Sequence, residues 1–353
     1  MLGKRIQRAR KALGLSLRDL GEQIALSHAA VKKYEDNEVI PSSDILIKLA
    51  KALHVRVEYF FRPEHFTLKN IHYRKHADLP ERQLEQITAK ILDQIERRIE
   101  LENLFPTAPV QAFSVKNLPK TISKIEEVES LADQVRNQWS LGLDPIPDLI
   151  DLFEKHGIKV FEIDSDRHPK IDGLYAEVND MPVVVVGDQR PGDRQRFTLA
   201  HELGHLILDK RLAPKLDIED CCNRFAGAFL LPKKSLLNIL GEYRTSIEPQ
   251  ELSMIKQEYG ISMTCVLHRA EDNKIISSVL YRQIRTEFNA RGWSKSEPGK
   301  RYPRETTHIF EQMIFHALAE EYIGESKAAE LMNMPLESFR SLRAMECQDV
   351  SHH

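Results

Sequence analysis

The residues with the clearest chemical content are His201-Glu202-Leu203-Gly204-His205. In a helix, positions i and i+4 share one face about a turn apart, so both imidazoles reach a single metal ion while the residue after the first histidine turns its carboxylate towards water on that ion. That is the donor pattern of a zinc hydrolase, with His201 and His205 as ligands and Glu202 as general base. The flanking Phe197, Leu203, Leu206 and Ile207 describe a buried amphipathic helix. Two histidines and a glutamate are costly in such surroundings unless something pairs them. The competing explanation is an ordinary buried helix with two hydrogen-bonded histidines.

A third ligand has to come from elsewhere. Asp209 stands two turns beyond His201 on a short side chain and is poorly placed for the same ion. The following segment offers Asp217, Glu219 and Asp220. Glu219 shares a helical stripe with Cys222, Ala226 and Phe229, whereas Asp220 shares one with Arg224 and reads as solvated. Glu219 is therefore the expected ligand, and Zn2+ the expected cofactor, with a fourth position left for water. Peptide hydrolysis is the candidate reaction. Tyr175, Tyr243, Tyr259 and His268 are available to stabilise an oxyanion, although each reads more readily as structural. Cys222 could replace a carboxylate ligand but reads more simply as a small apolar side chain.

These groups need elements to hold them. Helical patterns run from about Arg194 to Leu208 and from about Asp217 to Leu231, the second stopped by Pro232. Ahead of them lie strand-like Ile158–Ile163, Gly173–Val178 and Pro182–Val186, with Asn179-Asp180 as a turn, and helical Val128–Trp139 and Ile146–Lys155. The valine run Val183–Val186 is expected to offer its backbone edge to an extended peptide. Residues 1–60 instead carry short amphipathic helices: Ile6, Ala9 and Leu13; then Leu17, Leu20 and Ile24 behind a Ser16/Asp19 capping box; then helices beginning near Ser27 and Ser43. The fold class expected is α+β, mainly helical, with an N-terminal all-α module and a later domain around a small β-sheet.

Between the two, Leu79-Pro80-Glu81 opens a long helix striped by Leu84, Ile87, Ile91, Ile95 and Ile99, read as a connector packing on its own chain, with dimerisation the lesser option. Prolines 106, 109 and 119 mark a linker. The tail, 284–353, starts with a polar stretch from Arg285 to Arg304, whose basic part Lys295–Arg304 reads as a solvated loop rather than a nucleic-acid contact, and ends in helical patterns around 310–322 and 326–343. The segments expected are thus 1–62, 63–121, 122–283 and 284–353.

Composition bounds the function. With 353 residues, 42% hydrophobic and 29% charged, the chain is long enough for more than one core and unlike a disordered or collagenous sequence. Four cysteines without a C-x-x-C pair make neither a disulfide framework nor a thiolate zinc site. The net charge of -3 excludes a global polyanion binder, yet residues 1–60 hold eleven Lys and Arg against seven Asp and Glu, a local +4. No apolar run approaches a membrane span, and the opening Met-Leu-Gly-Lys-Arg lacks a signal core, so a cytoplasmic location and no membrane partner are expected.

Arg196-Phe197-Thr198-Leu199-Ala200 before the histidine motif, Glu219 to Ala226 after it, and Leu230-Leu231-Pro232 resemble the ImmA/IrrE family of zinc metallo-endopeptidases over roughly residues 125–283. The resemblance implies a zincin-like fold, zinc on His201, His205 and Glu219, and Glu202 as base. Gly14 to Gly21, Leu26-Ser27, Lys33 to Asn37 and Pro41-Ser42 resemble the XRE (Cro-like) helix-turn-helix family over about residues 3–60. That implies a second motif helix in the major groove, with Ser27, His28, Ala29, Lys32 and Lys33 at the DNA. Leu17 stands where that family often has glutamine.

Family peptidases of the first type cut helix-turn-helix repressors in stress or phage-induction circuits. The resemblances together imply a transcriptional regulator that binds double-stranded operator DNA, as a homodimer on paired half-sites, and cleaves itself or a partner regulatory protein. The alternative is a repressor or antitoxin-like protein whose peptidase-like domain is a non-cleaving sensor or interaction module.

Overall fold

The computed structural model describes residues 2–62, 68–73, 81–106, 112–164, 172–178 and 181–345. The chain forms two compact units, one of Met1–Lys69, Ala77–Pro109 and Ile309–His353, the other of Asn70–His76 and Val110–His308. The architecture is mainly helical with one small sheet.

The first unit opens with α1 (Leu2–Ala12), α2 (Leu17–Gln23), α3 (His28–Glu35) and α4 (Ser43–Ala52), followed by a 3-10 turn at Val57–Phe61. The capping box at α2 is reciprocal: Asp19 N donates to Ser16 Oγ at 3.1 Å and Ser16 N to Asp19 Oδ2 at 2.7 Å. Ile6, Leu20, Ile24, Val31, Leu49, Leu53 and Phe60 form its core, each such side chain stabilising the fold by about 1.5–3 kcal/mol on transfer. The long helix α5 (Glu81–Glu102) buries Ile87, Ile91 and Ile95, and its buried Glu96 receives both Arg5 and Arg8 of α1. The stripe therefore packs within its own chain. Its expected opener, Leu79-Pro80, lies outside the described residues.

The second unit contains β2 (Lys159–Ile163), β3 (Gly173–Val178), β4 (Met181–Gly187) and all but the first two residues of β1 (Leu68–Tyr73), in a sheet of order β1-β3-β4-β2. β4 pairs parallel with β2, Lys159 opposite Val183, and antiparallel with β3, Gly173 opposite Val186. Four consecutive valines suit a strand buried on both faces. The edge expected to be free at Val183–Val186 is not free: both sides of β4 are taken by neighbouring strands. The Asn179-Asp180 turn lies outside the described residues.

Helices α6 (Glu127–Gln138), α7 (Leu149–Lys155), α8 (Gly192–Leu208), α9 (Ile218–Leu230), α10 (Lys233–Leu240), α11 (Pro249–Tyr259), α12 (Met263–Asp272) and α13 (Ser278–Ala290) complete this unit. Leu231 after α9 is extended, as Pro232 requires of its predecessor. Arg136 of α6 is buried and donates to the carbonyls of Gly142, Asp144 and Phe229. Burial draws its pKa down to about 10.

The tail read from sequence as one stretch divides. Residues up to His308 stay in the second unit, where buried Glu305 pairs with Arg196 and accepts from the amides of Leu149 and Ile150 at the start of α7. Then α14 (Ile309–Ala319), α15 (Glu325–Leu331) and α16 (Leu336–Arg343) join the first unit, burying Met313, Ile314, Leu331 and Phe339 with Leu101 of α5. Among the described residues no helix is long and apolar enough to cross a membrane.

Candidate metal centre and nucleic-acid interface

Nearly every residue of α8 is buried, because the helix is covered by β3 and β4 on one side and α9 on another. Its positions sort by angle. Thr198 and Glu202 face β3, where a Cβ on Gly173 would stand 2.4 Å from Thr198 Cγ2 and 3.3 Å from Glu202 Oε1. Only glycine lets the strand lie so close to this carboxylate. His201 and His205 face α9 instead. There a Cβ on Gly204 would meet the Cα and Cβ of Cys222 at 3.2 Å, so the glycine between the motif residues sets how near α9 can come.

That approach delivers Glu219. His201 Nε2 lies 3.1 Å from His205 Nε2, Glu219 Oε2 3.4 Å from His201 Nε2, and Glu219 Oε1 3.3 Å from His205 Nε2. Among the described residues, these three side chains are the group of histidine, cysteine and acidic residues whose ligand atoms fall within 4.8 Å of one another. Ligands at tetrahedral corners about 2.0–2.1 Å from an ion stand about 3.3–3.4 Å apart. The three observed separations fit those edges, and an imidazole, imidazole and carboxylate set suits a small divalent cation.

The other acidic residues are otherwise engaged. Asp217 caps α9 by accepting from Asp220 N at 3.0 Å, Asp220 is exposed, and Asp209 ends α8. Cys222 is buried against Gly204, its thiol pushed well above the ordinary range by burial and then by the Glu219 and Glu202 carboxylates. It packs as a small apolar side chain.

Asn223 was not singled out from the sequence. Its Oδ1 stands 3.0 Å from His201 Nδ1 and accepts a hydrogen bond there, which directs the lone pair of Nε2 towards Glu219. One turn beyond Glu219 on the same face of α9, it was within reach of a periodicity argument. The four residues named for oxyanion duty have other partners or none of this kind: Tyr175 donates to Glu177 at 2.7 Å, His268 lies 2.8 Å from the Tyr281 hydroxyl, Tyr259 is in the core and Tyr243 is exposed.

In the first unit, Ser27 caps α3 by accepting from Ala30 N at 3.2 Å. Ser27, His28, Ala29, Lys32 and Lys33 are all exposed, while Val31 on the opposite face is fully buried. Lys32 bonds Asp36 at 2.7 Å. The local positive charge is smaller on the surface than in the sequence, since Arg5 and Arg8 are buried on Glu96 and Arg10 on Glu35 at 2.6 Å.

Residues 153–271 match the family described as the IrrE N-terminal-like domain, a peptidase family, and residues 6–60 match the helix-turn-helix family. Among solved structures, the chain aligns with the crystal structure of Bacillus thuringiensis PlcR in complex with the peptide PapR7 and DNA, at 16% identity and a TM-score of 0.18, over 99% of this chain and 89% of that one. A likeness of that order carries no argument. No curated protein matches the chain. The chain thus joins, in one polypeptide, an XRE-type helix-turn-helix DNA-binding domain and a domain of the IrrE-type peptidase family.

Proposed function

We propose that the protein is a transcriptional regulator carrying a zinc-dependent endopeptidase, which cuts itself or a partner regulatory protein. The observation that supports this most is the triangle of His201, His205 and Glu219, with edges of 3.1–3.4 Å, beside the buried carboxylate of Glu202 on the same helix. His201, His205 and Glu219 would hold the ion, with Asn223 orienting the first ring. Zinc bound there would supply Lewis acidity, polarising a peptide carbonyl and acidifying water. A Glu202 carboxylate oxygen takes a proton from the attacking water and returns it to the leaving nitrogen as the peptide C–N bond breaks. Gly173 keeps β3 against that carboxylate, which limits the water around it.

Glu202→Gln is expected to retain one zinc per chain but to lose about 10²–10⁴-fold in cleavage of a co-expressed helix-turn-helix repressor or of the chain itself. Metal content by atomic absorption and product mapping by mass spectrometry read the two separately. Wild type that holds zinc yet cuts neither protein would leave the domain as a non-cleaving sensor. DNA recognition is assigned to α3, as a dimer on paired half-sites, with His28 and Ala29 at base edges and the lysines on phosphates. Binding to its own upstream region should weaken with salt. A salt-independent signal, or none, would leave residues 1–60 as a protein-interaction module instead.

A further inference from the structure

We infer that a cationic cleft beside the metal centre selects substrates with an acidic side chain a few residues from the cut; this rests on the peptidase reading above. The cleft has a volume of about 500 Å³ and is lined by Phe197, Arg285, Trp293, Lys295 and Arg301 among others. Phe197 lies one turn, about 6 Å, before His201 on α8. Asp172, also in the lining, directly precedes the Gly173 that rests on Glu202. An extended peptide advances about 3.3 Å per residue, so a side chain about two positions from the scissile bond already reaches the Phe197 edge of the cleft.

The charge in the cleft is unbalanced because its carboxylates are already used. Asp172 is held by Arg190 at 3.0 Å and by Arg194 at 2.5 Å. Asp193 and Glu297 share the ammonium of Lys256 at 2.8 and 2.9 Å. Arg285 bonds the hydroxyls of Thr264, at 2.9 Å, and Tyr281, and among the described residues Arg285, Lys295 and Arg301 form no ion pair with a carboxylate. Arg285, Lys295 and Arg301 thus bring the lining to five cations against three carboxylates, a surplus of two positive charges.

The loop that carries Lys295 and Arg301 is solvent-exposed but anchored at its backbone. Glu297 accepts from the amides of Met263 at 2.9 Å and Thr264 at 3.0 Å, closing the first turn of α12. Gln257 donates to the Lys300 carbonyl at 2.6 Å, and Glu305 is buried on Arg196. The anchored backbone holds both side chains at the cleft, so a carboxylate that binds there costs less ordering entropy than on a free loop. With a surplus of only two positive charges, the cleft suits a single Asp or Glu side chain better than a continuous phosphodiester chain.

The test uses full-length Glu202→Gln protein loaded with zinc and fluorescein-labelled unstructured peptides, in pairs differing only by Asp/Glu against Asn/Gln. Anisotropy should show the acidic member binding about tenfold more tightly, a preference that shrinks in high salt and disappears in Lys295→Glu/Arg301→Glu. Both sites are exposed, and an unchanged melting temperature confirms that the variant folds. Equal binding of the two peptides, binding of neither, or a preference that survives the double charge reversal overturns the assignment. So does an unstructured oligonucleotide that displaces the acidic peptide and is itself lost in the reversed variant. Wild type that binds acidic peptides selectively but cuts none of them sinks the peptidase reading while supporting the cleft.

Discussion

Helices α3 and α8 both carry residues assigned to function, and they carry them in opposite ways. α3 buries Val31 and shows its candidate contacts to solvent, whereas α8 buries His201, Glu202 and His205 almost completely. An exposed contact residue has few obligations to the fold, so its identity is free to follow the ligand. A buried histidine or carboxylate must satisfy its neighbours before it can serve a ligand, and each neighbour becomes part of the site. The proposed metal site therefore extends to Gly173, Gly204 and Asn223, while the face proposed for DNA ends at its own exposed side chains.

The contrast is broken most forcibly at Gly204. Gly204→Val would push on the Cys222 backbone and lever α9 away, and we expect a loss of about 1–3 kcal/mol in stability together with loss of metal uptake, leaving DNA binding intact. Thermal melts and zinc titration measure the two effects; normal zinc affinity in the variant would show that α9 does not need this contact. Asn223→Ala should be milder, weakening zinc about 10–100-fold with the fold preserved.

On the exposed side, Lys33→Ala should lower operator affinity and flatten its salt dependence by about one unit of slope, with no change in melting temperature. Lys32→Ala should do less, because Asp36 already competes for that ammonium. Equal effects of the two would show that the ion pair opens on DNA at no cost.

The smallest effect concerns pH. Burial raises the Glu129 carboxyl, but Arg269 and Arg224 outweigh it and hold its pKa below the ordinary 4.5. The stability this contributes is present above about pH 4.5 and is lost as the pH falls through the lower folded value. Glu129→Gln should be less stable at neutral pH and flatter below pH 4.5, as read by denaturant midpoints across the acid range. Parallel pH curves for the two proteins would assign the acid sensitivity elsewhere.

Much of this was legible in the amino-acid order. β3 spans Gly173–Val178 as the alternation and flanking turn residues suggest, and the stripe through Glu219, Cys222 and Phe229 separated the inward carboxylate from Asp217 and Asp220. Those signals are local, a period of two or of 3.6 residues. What escaped were facts of long-range placement. Nothing near Val183 announces that β2, some twenty residues earlier, will take one of its edges. Lys295 to Arg304 is largely exposed, as its polarity suggests, but its anchoring was not legible: the partners of Glu297 and of the neighbouring Glu305 lie far back in the chain, at Lys256, Arg196 and the start of α7. The tail was read as one region because the core that receives Phe339 lies with α5 rather than with its sequence neighbours.

That last arrangement has a consequence for biosynthesis. The partners of Leu101 leave the ribosome only after the whole of the intervening unit has been made, so α5 waits with part of its apolar surface uncovered while translation continues. The same closure means that a break in the backbone anywhere among residues 110–308 would leave the two flanking pieces still gripping each other through Leu101, Phe339 and the Arg62–Glu330 pair, and the halves would part only in denaturant.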